Sequence, residues 1–342
     1  MRALLLAILT IVPWLATAAA TAADADWQAI EAEARKQGLV TIYHDFSPSG
    51  VAQIIDVFHK AYPEITVREV RLPSGNFYPR FATEYAAGRS EADMCSMAYD
   101  DRALDWQKQG WFAAWTPPEA SHLPQGAAIN GSLWEIQRSR EMIIYNTTRV
   151  KPADAPKDWP DLFDPRWKGH IGMNPPWRSV GPQSTIAFIQ KNFGIVDMAA
   201  KMQEQQVRFF NGSAGVVQAV IRADVSVAIL TDLPLNMVLA DGPPLAAVYP
   251  KSGVPSAPFL MFVPEHAPHQ AAGKVFANWL MSETGQRAIQ DLSGAPGLRV
   301  GLPAPKYVPA NADLKLVDIR TLLTPDIQKT IVEHWQSVFG VK

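Results

Sequence analysis

The chain has 342 residues, with 31 Lys and Arg against 33 Asp and Glu and a formal charge of −2. That balance offers no basic field for nucleic acid or an anionic membrane surface, and the length allows two domains that each bury a core. A single cysteine, Cys95, excludes an internal disulfide.

Residues 1–22 read as an export signal. Arg2 is the charged start, Ala3 to Leu15 the apolar run, and Ala16-Thr17-Ala18 or Ala20-Thr21-Ala22 offers the cut. The run is too short to span a bilayer. No cysteine lies near the cut, which excludes a lipid anchor. The mature chain is expected in the periplasm.

A leading helix, Trp27 to Gln37, is closed by Gly38 and followed by a βαβαβ pattern. Leu39 to Tyr43 is a buried parallel strand. Val51, Ile54, Ile55 and Phe58 mark an amphipathic helix. Ile65 to Val70 is the next strand, and Phe77, Phe81 and Tyr85 mark the next helix. The strand around Cys95 then buries an inert thiol, and Ala103 to Gln109 is helical. Such alternation gives a parallel sheet with right-handed crossovers. Its ligands bind beyond the carboxyl ends of the strands, which points to the loops His44 to Ser49, Leu72 to Tyr78 and Tyr99-Asp100-Asp101. Tyr99 suits ligand stacking and core packing equally.

The alternation breaks at an extended segment, Glu135 to Asn146, and a proline-rich stretch, Lys151 to Lys168. A second series follows: strand His170 to Met173, helix 182–193, strand Val207 to Phe210, helix 213–222 and strand Val225 to Leu230. A helix from Pro234 to Leu239 precedes strands Ala246 to Tyr249 and Phe259 to Val263, separated by a loop from Pro250 to Pro258. Helices 271–281 and 283–291 come last. Two αβ lobes are expected, residues 25–133 plus 258–342 and residues 140–255, joined by a hinge that the chain crosses more than once and that closes on a ligand.

The most informative stretches are Trp177-Arg178-Ser179-Val180-Gly181-Pro182-Gln183-Ser184 and Asn211-Gly212-Ser213-Ala214-Gly215. Each follows a strand, opens a helix and is built from small residues. Helix N-termini carry unpaired N–H groups and partial positive charge, so two of them facing one crevice make an anion site. Ser213 is the expected N-cap of the second helix. Arg178 can clasp a carboxylate, phosphonate or phosphate through two hydrogen bonds. Each turn can also be an ordinary cap, and Trp177 can cover a ligand or only the strand end.

The chain resembles the bacterial extracellular solute-binding proteins of family 1, in the branch with ferric-iron, thiamine and organophosphate binders of ABC importers. The likeness rests on Leu39-Val40-Thr41-Ile42-Tyr43, Ala92-Asp93-Met94, Met142 to Thr147 with Trp159-Pro160-Asp161-Leu162 and Pro165 to Ile171, and Ala272 to Leu280 with Thr284-Gly285-Gln286. It implies a type II periplasmic binding fold, two αβ lobes around a ligand cleft with a crossed hinge, and docking to an ABC permease at the inner membrane. The ligand is expected to be a small organic anion, and the protein a monomer without a cofactor. Ferric relatives place paired tyrosines where this chain has Thr231-Asp232-Leu233-Pro234, so the hard oxygen set for Fe(III) is reduced to Asp232 and Tyr99. A ferric binder stands as the alternative. So do a sensory binding protein and a periplasmic hydrolase, the last resting only on His44-Asp45 without an obvious serine. The ligand set is thus Arg178, Ser179, Val180, Ser213 and Ala214, with Trp177, Asp232, Tyr99, Ser47, Ser74, Gly75 and Asn76, and no catalytic residue or metal ligand is expected.

Overall fold

The structure is a computed structural model that describes residues 14–341 apart from Ser47, Pro73, Pro234, Gly294 and Ala295. Residues 1–13 of the expected export signal lie outside the described residues, as does Ser47.

In chain order the elements are α1 (Trp14–Gln37), β1 (Leu39–His44), α2 (Pro48–Ala61), β2 (Thr66–Arg71), α3 (Ser74–Ala86), β3 (Met94–Ala98), α4 (Arg102–Lys108), β4 (Ala128–Ile129) and β5 (Leu133–Asn146). Then come β6 (Ile171–Met173), α5 (Val180–Phe193), α6 (Met198–Glu204), β7 (Arg208–Phe209), α7 (Gly212–Ile221), β8 (Val227–Thr231), α8 (Leu235–Ala240) and β9 (Leu245–Val248). The chain ends with β10 (Val254–Phe262), α9 (Gln270–Met281), α10 (Glu283–Ser293), β11 (Leu316–Asp318) and α11 (Pro325–Phe339).

The strands follow the order β2-β1-β3-β10-β5-β8-β6-β7. At each end the pairing is parallel, β1 with β2 and β3, and β6 with β7 and β8. In the middle, β10 and β5 run antiparallel. The long strand β5 belongs to both halves. Its first part pairs with β10 as far as Arg140↔Ser256, and from Glu141↔Thr231 onward it pairs with β8. Arg140 and Glu141 therefore mark the point where the chain passes from one lobe to the other. The loop expected from Pro250 to Pro258 is shorter, because β10 begins at Val254 and its Val254 to Ser256 pairs with β11.

Apolar clusters flank the sheet on both sides in each lobe. Residues 258–342 were expected with the first lobe, but their end goes elsewhere. Ile319, Leu322, Leu323, Ile331 and Trp335 are buried in the second lobe's core beside Ile186 and Ile189 of α5. The apolar spacing of α11 supplies that buried stripe, which is why the helix docks there.

Asp93 ties three elements of the first lobe together. Its carboxylate accepts from the amide of Thr41 at 2.7 Å, and from the amide and ring Nδ1 of His269 at 2.6 and 3.1 Å. One buried side chain thus joins β1, β3 and the start of α9. Gly273 lets α9 sit directly on this strand, since a Cβ there would meet the Asp93 backbone, with the carbonyl carbon at 2.9 Å. Gly273→Ala is expected to destabilise the protein by about 1–3 kcal/mol through overpacking, measured by urea unfolding.

Candidate functional site

Parallel neighbours send their loops out of the same edge of a sheet. With Met173 beside Phe209 in the register of β6 and β7, the turns 174–179 and 210–211 must leave side by side. The first enters α5 with Ser179 at the N-cap, and the second enters α7 with Asn211 at the N-cap. Neither cap side chain hydrogen-bonds to its own helix. The amide donors that open both helices are therefore not closed by their caps. Arg178 is exposed and reaches across the gap, its Nη1 donating to Asn211 Oδ1 at 3.3 Å. The result is one surface carrying two helix N-termini and a guanidinium.

Ser213 is not the N-cap expected from sequence. Gly212 makes the turn at φ +73°, a left-handed value open to glycine, and this moves the cap to Asn211. Ser213 lies half-buried in the first turn, with Ala214 exposed next to it. Val180 is exposed and opens α5. Trp177 packs edge-on against Phe209 with ring centroids 4.8 Å apart, at the margin of the second core. In this position it covers the strand end and stays partly exposed.

From the first lobe, Tyr99 comes up beside the start of α5. A cavity of about 560 Å³ is lined by Tyr99, Asp101 and Arg102 on one side and by Val180 and Gln183 on the other. The Tyr99 hydroxyl donates to Asp101 Oδ1 at 2.5 Å, and the Arg320 guanidinium lies 5.8 Å from its ring centre. Ser74 and Gly75 are the first residues of α3, and Asn76 is exposed in its first turn.

Asp232 does not belong in the ligand set. It is completely buried and paired with Arg140, whose Nε lies 2.5 Å from Oδ2 and whose amide donates to Oδ1 at 3.0 Å. The Tyr249 hydroxyl donates to the same carboxylate at 3.3 Å, and Arg140 Nη1 donates to the carbonyl of Pro309 at 2.7 Å. The group is a clamp at the lobe crossing, binding β5, β8, β9's following Tyr249 and the C-terminal segment together. Sequence placed Asp232 at a strand end but gave no sign that Arg140, distant in the chain, would neutralise it.

Three polar groups near these turns escaped the sequence reading. Asn174, the first residue after β6, is buried and its Oδ1 has no partner. Thr231 Oγ1, at the end of β8, is likewise buried without a partner. Glu141 is only 4% exposed, and its Oε2 is unpartnered. It lies under the first turn of α5, where a Cβ on Gly181 would come within 2.9 Å of its Cδ. The only hint in the sequence was Gly181, which permits that approach.

Burial, reinforced by the charge of Asp232, pushes the Glu141 carboxyl up to about 8. The folded state then holds this proton more tightly than the unfolded chain, whose glutamate titrates near 4.5. The Glu141 contribution to stability is therefore full below about pH 4.5 and is lost as pH rises through about 8, by up to about 1.4 kcal/mol per pH unit. Thermal melts from pH 5 to 9 should show this slope in the parent protein and its loss in Glu141→Gln.

His44, the basis of the hydrolase alternative, is fully buried in β1 with Nε2 2.5 Å from Glu69. Burial lowers its affinity for a proton. Ser96 stands opposite it in the β1–β3 register, but it too is fully buried, and neither His44 Nδ1 nor Ser96 Oγ has a hydrogen-bond partner. Burial also pushes the Cys95 thiol far up, as befits an inert group. Among the described residues no group of three His, Cys, Asp or Glu could hold a metal ion, and no helix is long and apolar enough to cross a membrane.

Comparison with known proteins agrees with the architecture. Solved structures with the same fold include iron-bound HitA of Pseudomonas aeruginosa (TM-score 0.74, 19% identity, 88% of this chain and 99% of that one). They also include AfuA of Actinobacillus pleuropneumoniae with fructose-6-phosphate bound (TM-score 0.72, 18% identity, 89% and 99%). A Salmonella typhimurium protein, provisionally named as a 2-aminoethylphosphonate-binding periplasmic protein, is 24% identical over 272 residues, 75% of this chain and 78% of that protein. Residues 92–325 match the family model described as bacterial extracellular solute-binding protein. With its two αβ lobes, type II periplasmic binding fold and that match over most of its length, the chain belongs to the bacterial extracellular solute-binding protein family.

Proposed function

We propose that the chain captures a small organic anion of the phosphonate, phosphate-ester or carboxylate class between its lobes and delivers it, as a monomer, to an ABC permease. It acts as a periplasmic binding component of an importer, a binding and not a catalytic role. The observation that carries the ligand class is the pair of adjoining helix N-termini with donors left open by their caps, bridged by Arg178. Ser179, Val180, Ser213 and Ala214 supply backbone donors, and Tyr99 with the start of α3 closes from the first lobe. In this reading the first lobe is residues 25–133 with the return from 258, and the second is 140–255 with the C-terminal helix.

The names of the relatives support an anion: one for 2-aminoethylphosphonate and one holding fructose-6-phosphate. Iron-bound HitA supports the ferric alternative on fold alone. Against iron, the two oxygen groups at the expected positions are committed elsewhere, Asp232 to Arg140 and the Tyr99 hydroxyl to Asp101.

A thermal-shift panel of phosphonates, phosphate esters, carboxylates, thiamine and ferric salts tests the reading. A ligand at a hundred times its Kd stabilises the folded state by about 2.7 kcal/mol. An organic anion should raise the melting temperature. A rise with ferric salts and with no organic anion would overturn the proposal.

A further inference from the structure

We infer that Glu141 is the receptor for a cationic amine on the ligand, so that the captured molecule is a zwitterion with its anionic group at Arg178 and its ammonium under the first turn of α5. This rests on the anion reading above.

The argument begins with an incomplete site. Glu141 is more than nine-tenths buried, and its Oε2 accepts no hydrogen bond. Buried polar atoms are nearly always paired, so an orphan carboxylate oxygen needs an explanation. Directly across the antiparallel ladder stands Thr231. Residues opposite each other in such a pair project to the same face. Thr231 Oγ1 is also buried and unpartnered. Two acceptor groups thus lie side by side at the edge of β5 and β8, beneath Gly181 and the N-terminus of a 14-residue helix.

Among the described residues no cation forms an ion pair with Glu141. From β8 the charged neighbour is Asp232, already neutralised by Arg140 of β5. The first turn of α5 carries no charged side chain. An apolar group would leave both oxygens unsatisfied. An ammonium has three donors and a positive charge, and it satisfies both. The carboxyl, held protonated by burial when the site is empty, gives up its proton as the ammonium arrives.

Titration calorimetry with 2-aminoethylphosphonate and ethylphosphonate, which lacks only the amine, tests this. The parent protein should bind the amine tenfold or more tightly than ethylphosphonate, and Glu141→Gln should abolish that preference while leaving ethylphosphonate binding within about twofold. Should the variant fail to fold, buffers of differing ionisation enthalpy decide. Capture of the amine at pH 7 should release most of one proton beyond any released by the phosphonate group itself. Equal affinity for the two ligands, a preference that survives in Glu141→Gln, or no proton release beyond that of the phosphonate group overturns this inference and leaves the anion reading intact. Binding of neither phosphonate overturns this inference, and the anion reading is then decided by the wider ligand panel.

Discussion

Asp232→Ala is expected to destabilise the protein by about 3–5 kcal/mol. The carboxylate and the Arg140 guanidinium are both completely buried. Removing the acid leaves a positive charge without a counter-ion in a place water does not reach, with Arg140 Nη2 already lacking a partner. The loss arises from that orphaned charge more than from the bond itself. A double replacement, Asp232→Leu with Arg140→Met, should therefore recover most of it, since apolar side chains of similar volume often replace a buried pair without penalty. Urea unfolding of both variants measures this. A cost below about 1 kcal/mol for the single variant would mean the pair is hydrated and is no clamp.

Arg178→Ala is expected to weaken binding of a phosphonate at least tenfold. A hydrogen bond to a charged group contributes about 1.5–3 kcal/mol, and a guanidinium can make two to one anion. The same change should leave the melting temperature of the empty protein nearly unaltered, because Arg178 is exposed and its side chain makes one hydrogen bond of 3.3 Å, to Asn211. Calorimetry gives the first quantity and a thermal melt the second. Loss of affinity with stability preserved is the signature of a ligand contact. Unchanged affinity would make Arg178 only a tether between two loops.

The scaffold was legible because its rules are local or periodic. Strand–helix alternation gave both parallel runs, and the extended stretch that became β5 announced the crossing. The motifs that carried the family resemblance prove to be scaffold as well. Asp93 ties β1 to α9. Asn146 donates to the Val220 carbonyl at 2.7 Å, Trp159 Nε1 to the Gly253 carbonyl at 2.9 Å, and buried Gln286 Nε2 to the carbonyls of Ile136 and Leu280. Such residues identify a fold without naming its ligand.

The site was legible only in part, and the misses share a cause. Cap chemistry found the two turns, but the exact cap on α7 depended on a left-handed Gly212 that shifts the start to Asn211. Asp232 looked free because its partner comes from another strand, and Glu141 looked like one more residue of an extended segment. Which side of β5 each faces depends on register against β8 and β10, a long-range property. The C-terminal helix was misplaced for the same reason, since an amphipathic stripe states that it is buried and not against which core.

The most direct test is a crystal structure of the protein with 2-aminoethylphosphonate bound. The phosphonate oxygens should lie within hydrogen-bond distance of the Arg178 guanidinium and of the amides that open α5 and α7, with Tyr99 on the facing side. An anion found elsewhere, for instance in the cavity of about 610 Å³ lined by Glu135, Arg138 and Arg299, with the two helix N-termini empty, would contradict the anion clasp.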